Sequence, residues 1–149
     1  YKSENFLLKY YKNKTWILRL APVYSKDFLL NINRRTKIGL VNYKVGYGNK
    51  KLSLCNIKNI HKVVSNVITG NIPPDIYNVS DKIYYTYNIL IGANKPVLRI
   101  PRFTIWILYF LGKGLKNIFI IENSIKLLTN NIFPSNKLSK FVKLNAKLN

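Results

Sequence analysis

Residues 38–51 read IGLVNYKVGYGNKK, a glycine pair beside a lysine pair. A phosphate-binding loop sets its two glycines four residues apart and follows them with lysine and a hydroxyl residue, so that backbone N–H groups curl round an anion. Here Gly46 and Gly48 precede Asn49, Lys50 and Lys51, and no Ser or Thr follows the lysines. The dinucleotide fingerprint wants a third glycine three residues after the second, and Lys51 holds that place. Neither nucleotide motif survives. What remains is a strand that turns at two glycines and runs toward a helix, with cations gathered at the turn.

The charge balance sets the expected partner. Against five Asp and Glu stand 25 Lys and Arg, a formal charge of +20 over 149 residues. Such a chain repels itself unless a polyanion neutralises it, which points to nucleic acid or an anionic membrane. Only Arg19, Arg34, Arg35, Arg99 and Arg102 are arginine. Lysine neutralises phosphate as a mobile point charge, whereas arginine supplies the forks used in base readout, so backbone recognition is favoured. The abundant Asn, Lys, Ile and Tyr have AT-rich codons, as in many organellar genomes. Cys55 is the lone cysteine, which excludes an internal disulfide and fits a reducing compartment. The most apolar run, FTIWILYFLG at 103–112, has about half the ~20 residues a membrane-spanning helix needs. It reads as a buried helix, with no transmembrane segment expected.

Along the chain, residues 1–14 read as a basic aromatic arm. TWILRLAPVYS (15–25), FLLNINRRTKIGL (28–40) and NYKVGYG (42–48) read as three strands, the second with Phe28, Leu30 and Ile32 on one face and cations on the other. Ile57, Ile60, Val64, Val67 and Ile68 then recur at helical spacing until Gly70. NIPPD (71–75) marks a break. DKIYYTYNILIG (81–92) alternates like a strand, GANKP turns, VLRI is a short strand, and Pro101 starts the helix RFTIWILYFLG. LKNIFII reads as a further strand, ENSIKLLTNNIF as a last helix capped near Asn123 or Ser124, and 134–149 as a lysine-rich tail. The fold class expected is α+β. It would comprise an arm (1–14), a βββα unit (15–70), a second α/β unit of mixed sheet with two helices (71–133), and the tail (134–149).

Catalysis finds little support. The one histidine, His61, lies among lysines, and Glu4, Asp27, Asp75, Asp81 and Glu122 are not paired on any helical face. Cys55 and His61 sit nearly two turns apart on one expected helix, which disfavours a dyad, and one Cys with one His cannot close a zinc site. No enzymatic activity, metal or cofactor is expected. Tyr84, Tyr85 and Tyr87 could stack bases, but Tyr85 and Tyr87 share a face with Ile83 and Ile89 and read as core, leaving Tyr84 outside.

Three segments, in order and at similar spacing, carry a resemblance. Ile38, Gly39, Asn42, Lys44, Val45, Gly46, Tyr47, Gly48 and Lys50 are similar to a VGDGNGRVGFGYGKA-like stretch. Ile72-Pro73-Pro74-Asp75-Ile76 is similar to an IPHEV-like one, and Gly114-Leu115-Lys116-Asn117-Ile118-Phe119 to GIKDVL-like residues. Together they resemble the small-subunit ribosomal protein S-five family, as a diverged mitochondrial-type member, with a plastid-type organelle as the alternative. The resemblance spans about residues 16–133. Lys26 and Asp27 stand where that family's first hairpin carries glycines.

The resemblance implies a first unit like a double-stranded-RNA-binding fold, which reads A-form backbone shape. It also implies a place near the mRNA entry side of an organellar small subunit, beside ribosomal proteins three and four, with mRNA as a further partner. Arg19, Lys26, Arg34, Arg35, Lys37, Lys44, Lys50, Lys51 and Lys62 are the candidate rRNA contacts, and Gly46 and Gly48 the turn glycines. Other readings are an organelle-specific ribosomal protein of another family, a peripheral membrane protein using 103–121 and 134–149 on anionic lipid, and a free-standing single-strand binder. The membrane reading fails if Trp106 and Phe110 are buried; the single-strand reading needs Tyr84 exposed.

Overall fold

In the computed structural model, which describes residues 2–92 and 95–145, two units are interleaved along the chain. One comprises Tyr1–Leu29, Ser53–Ile83 and Phe133–Asn149, the other Leu30–Leu52 and Tyr84–Ile132. The sequence reading had set its units consecutively, on either side of residue 70.

The first unit opens with α1 (Lys2–Tyr11), where an arm was expected, and a 3₁₀ turn at Lys12–Lys14. Its strands are β1 (Ile17–Leu20), β2 (Val23–Tyr24), β5 (Cys55–Asn56) and β6 (Ile76–Val79). β1 runs parallel to β6, from Ile17 opposite Ile76 to Leu20 opposite Val79, and β2 runs parallel to β5. Parallel neighbours need a crossover between them. α3 (Ile57–Ile68) follows β5 and lies within the excursion from β1 to its partner β6; it is capped by the Asn56 side chain, which accepts from Lys58 N at 3.0 Å. Val63 is fully buried on α3 and Ile60 and Val67 pack beside it, while Lys58 and Lys62 stay outside, as their spacing predicts. The core joins Ala21, Cys55, Val63, Ile72, Tyr77 and Val79 to Leu138, Val142 and Leu144. The segment expected as a tail is therefore packed interior, around a 3₁₀ turn at Leu138–Lys140; residues 146–149 of it lie outside the described residues.

The second unit holds α2 (Leu30–Thr36), β3 (Lys37–Ile38), β4 (Val41–Val45), α4 (Tyr87–Ile91), β7 (Val97–Ile100), α5 (Arg102–Gly114) and α6 (Ile118–Leu128). β3 and β4 form a short antiparallel hairpin, and β7 joins β4 in parallel, from Asn42 opposite Val97 to Val45 opposite Ile100. Tyr43, Val45 and Ile105 form its core, with Ile100, Leu127 and Leu128 against them. α5 and α6 make a helical hairpin whose close approach depends on Gly112: a Cβ there would lie 2.9 Å from the Ile120 side chain. Phe103, Trp106, Ile107 and Phe110 on α5 and Ile118 and Phe119 on α6 are exposed.

Several expectations are corrected by this geometry. The stretch 28–40 is α2 and then β3, because Ile32 and Thr36 are buried one helical turn apart and the Thr36 hydroxyl donates to Ile32 O at 2.9 Å. NIPPD is not a boundary between units but the lead into β6. The expected strand over 81–92 is a single bridge, Tyr85 to Leu52, followed by α4, capped when the Thr86 hydroxyl accepts from Ile89 N at 3.3 Å. Tyr85 and Tyr87 are buried and Tyr84 is exposed, as read. LKNIFII is helical, since the cap is Asn117, whose side chain accepts from Ile120 N at 3.2 Å, and not Asn123 or Ser124. Trp106 and Phe110 lie outside the core, being 47% and 62% exposed. Ala93 and Asn94 of the expected GANKP turn lie outside the described residues. Among the described residues three of the four strand pairings are parallel, and the expected βββα unit does not form there.

Replacing the core residue Leu138 by alanine is expected to cost about 2–5 kcal/mol of stability. Urea unfolding of L138A against the native chain checks this, and an unchanged midpoint would place the segment outside the core.

Candidate functional site

A polar surface of the second unit is built round the end of β4. Gly46 and Gly48 have φ of +61° and +75°, which L side chains rarely adopt, so glycine is needed at both. Gly46 N donates to Ile100 O at 2.8 Å and Gly48 N to Val45 O at 3.2 Å, tying the turn to the β4–β7 pair. Arg99 Nε donates to Gly46 O at 3.1 Å while its guanidinium lies 4.2 Å from the Tyr47 ring centre. Asn88 closes the other side: its amide nitrogen donates to Tyr47 O at 3.2 Å, and its oxygen accepts from Lys44 Nζ at 3.2 Å. A Cβ on Gly48 would stand 2.8 Å from that oxygen.

Beside this turn lies a cleft of about 530 Å³. Val45 and Leu127 give it an apolar wall; Tyr47, Asn49, Lys50, Arg102, Thr129 and Asn130 give it donors and charge. Its two cations rest on backbone carbonyls. Lys50 Nζ donates to Lys126 O, and Arg102 Nη2 donates to Leu128 O at 3.4 Å. The floor is fixed by Lys51 N, which donates to Asn130 Oδ1 at 2.9 Å, and by Asn131 N, which donates to Lys51 O at 2.9 Å. Among the described residues no carboxylate lines the cleft. Burial, with the Arg35 charge added, pulls the Lys50 ammonium down to about 8. Arg35 is itself lowered by burial, beside Tyr43 and Tyr87, whose phenols burial pushes up. A second cleft, of about 560 Å³, presents Lys44, Asn88, Lys95 and Arg99.

The candidates from sequence divide between the units. Lys44, Gly46, Gly48, Lys50 and Lys51 come together at the turn. Arg34 and Arg35 are on α2 and Lys37 on β3, rather than along one strand face. Lys50 and Lys51 do not start a helix, since α3 begins at Ile57. In the first unit, Arg19 is in an ion pair with Glu4 at 2.7 Å and holds that carboxyl below its ordinary value. Lys62 donates to Lys143 O at 2.9 Å, and Lys26 is exposed in the loop after β2. Sequence reasoning missed Arg99, Arg102, Asn88, Asn130 and Thr129. Two of the five arginines flanking Pro101, just where β7 meets α5, were the available signal.

No dyad forms in the first unit. His61 is exposed, while burial and the Asp81 charge push the Cys55 thiol up to about 12. Asp81 is a structural node: its carboxylate accepts from Tyr24 OH at 2.7 Å, Asn56 N at 2.8 Å and Asn59 Nδ2 at 2.7 Å.

No protein-family model and no curated protein sequence matches the chain. Solved structures do, and those described as epimerases or epimerase family proteins are among them. A functionally unknown conserved protein from Silicibacter pomeroyi aligns with a TM-score of 0.56 at 14% identity, over 88% of this chain and 43% of that one. The UDP-glucose 4-epimerase of Thermotoga maritima, solved with UDP-glucose, aligns at 0.54 and 16% identity, over 99% and 46%. A human epimerase family protein solved with NADPH aligns at 0.54 and 12%, over 87% and 43%. The chain thus spans less than half the length of each of these neighbours.

These likenesses show the fold, and they overturn the resemblance to the ribosomal S-five family and the α+β class drawn from it. With it go the small-subunit role, the rRNA, mRNA and ribosomal-protein partners, and the expectation that the chain has no part in an enzyme. The membrane-surface and single-strand alternatives gain nothing from the comparisons either; among the described residues no helix is long and apolar enough to cross a membrane. The three weak motifs were matched in a biased alphabet, and the IGLVNYKVGYGNKK turn lies in a sheet of a different topology.

The residues present do not fit a dinucleotide loop. β1 leads through Ala21 and Pro22 into β2, not into a helix, and the Gly46–Gly48 turn leads into the Leu52 bridges. α3 and α5 are preceded by Asn56 and Pro101 without a glycine-rich approach, and α6, though Gly112 and Gly114 stand before its Asn117 cap, follows a helix rather than a strand.

Alanine at Gly48 is expected to cost about 1–2 kcal/mol from its backbone alone, and more from crowding Asn88. Alanine at Gly39, with φ +59° but nothing within 4 Å, is expected to show the backbone cost alone. Urea midpoints of G48A and G39A compare the two, and equal losses would remove Asn88 from the account. The Cys55 thiol is expected to resist iodoacetamide at pH 8 until the chain is unfolded, read by mass spectrometry.

Proposed function

We propose that this chain supplies the diphosphate-gripping surface of an epimerase-type enzyme acting on nucleoside-diphosphate sugars. The observation that carries this reading is the cleft at the end of β4, where Lys50 and Arg102 face a space whose lining holds no carboxylate. Two cations suit two phosphoryl groups, and the Asn49, Asn130 and Thr129 side chains can donate to the remaining oxygens. Tyr47, held against Arg99, offers a rigid aromatic face at the rim. The likeness to a protein solved with UDP-glucose supports the ligand class.

Within this reading the chain's own residues bind and orient. Arg102 and Lys50 neutralise the diphosphate, and the locked glycine turn keeps the donors from relaxing when the ligand leaves. Hydride transfer is not assigned to these residues, because a dinucleotide loop does not fit them.

Calorimetric titration of the chain with UDP-glucose and ADP-glucose tests the reading. Binding that weakens with added salt is expected, and R102A should weaken it about tenfold or more, as for a lost hydrogen bond to a charged group. Absence of binding to both ligands, or an R102A variant that binds as the native chain does, would overturn it.

A further inference from the structure

Lys50 is an unusual cation to find at an anion site. Its ammonium is half-buried and its hydrogen bond goes to a backbone carbonyl, Lys126 O. The charged groups of the surrounding elements are of its own sign: Arg35 on α2, Lys51 beside it in the chain, and Arg102 at the start of α5. On α6 the carboxylate is Glu122, and it is paired with the Lys126 ammonium at 3.2 Å, with both side chains exposed. The nearby phenols Tyr43 and Tyr87 are held neutral by burial. Among the described residues no free carboxylate compensates the Lys50 charge; its polar partner is the Lys126 carbonyl in the last turn of α6.

Such a group gives up its proton more readily than a surface lysine, and regains its hold when an opposite charge arrives. We infer that capture of a diphosphate in this cleft is accompanied by uptake of a proton from solvent onto Lys50 Nζ, so that the site's grip weakens as the solution turns alkaline. The inference rests on the reading of the cleft as a diphosphate site. The proton balance is simple: one leaves the buffer, one N–H bond forms on Lys50, and no other bond changes. The direction follows from linkage. The free site holds fewer protons than the occupied one above neutral pH, so affinity falls as pH rises. With the free ammonium near 8, the uptake is largest from there upward and small at pH 6.5.

The geometry also says why lysine is suited to the task. Arginine keeps its charge at any physiological pH and would grip without the proton. A guanidinium at position 50 therefore separates binding from its pH dependence.

Titration calorimetry with UDP-glucose, whose diphosphate diester keeps a fixed charge between pH 6 and 9, reads the proton directly when repeated in buffers of different ionisation enthalpy. The native chain is expected to take up roughly half a proton per ligand at pH 8 and much less at pH 6.5. The K50R variant is expected to bind with no such difference between buffers. Binding without proton uptake at pH 8 would overturn this inference alone, and so would uptake that persists in K50R. No binding at either pH would overturn it together with the reading it rests on. Should K50R not fold, the chemical shift of the Lys50 side chain in the native chain, followed against pH with and without ligand, serves instead. A Lys50 titration that does not move on binding would equally overturn it.

Discussion

Parallel pairing is the constraint from which the rest of this structure follows. Two parallel strands cannot be joined by a tight turn, so each pair requires an excursion of chain between its members. β1 waits for β6, β2 for β5, and β4 for β7. The excursions hold α2, α3 and α4, while α5 and α6 follow β7 and line the site beside the strand ends. β4 ends one residue before Gly46, β7 ends one residue before Pro101, and the Gly46 N to Ile100 O bond at 2.8 Å fastens those ends together. From that point the glycine turn and α5 diverge, and a cleft opens between Lys50 and Arg102.

Each unit keeps a polar element inside. In the first, the Asp81 carboxylate is satisfied by three donors drawn from β2, β5 and α3, so a buried charge fixes how three segments meet. In the second, Arg35, Tyr43 and Tyr87 share a partly buried environment without a carboxylate. The contrast is chemical: acid in one interior is fully answered, whereas base in the other is answered by carbonyls and phenols. A surplus of that kind is where an anion is stabilised.

Much of the local structure was legible and the topology was not. α3 could be read because Ile57, Ile60, Val64, Val67 and Ile68 recur at helical spacing before Gly70, although the buried face centres on Val63 and leaves Ile57, Val64 and Ile68 exposed. β4, β7 and the start of α5 were equally plain. α2 was misread because Phe28, Leu30 and Ile32 fit a period of two as well as Ile32 and Thr36 fit a helical turn. α6 was misread because LKNIFII is a short apolar run, in which strand and buried helix look alike. Nothing near Ile17 says that its partner is Ile76, or that the two run the same way. At the site, the glycines and Lys50 were visible as a cluster. Arg102, Thr129 and Asn130 were not, since only the fold brings α5 and the end of α6 beside the turn. The charge total pointed toward a polyanion because it counts lysines without placing them.

The packing of Leu138, Val142 and Leu144 against β6 and α3 has a temporal consequence. As synthesis passes Ile132, the second unit has all of its residues, while the first still lacks Leu138, Val142 and Leu144. The first unit is therefore the later of the two to close. β1 and β6 must wait, with Tyr77 and Val79 incompletely covered, until Leu144 has emerged. Long sequence separation of this kind slows folding and lengthens the exposure of apolar surface, which raises the risk of aggregation in that interval.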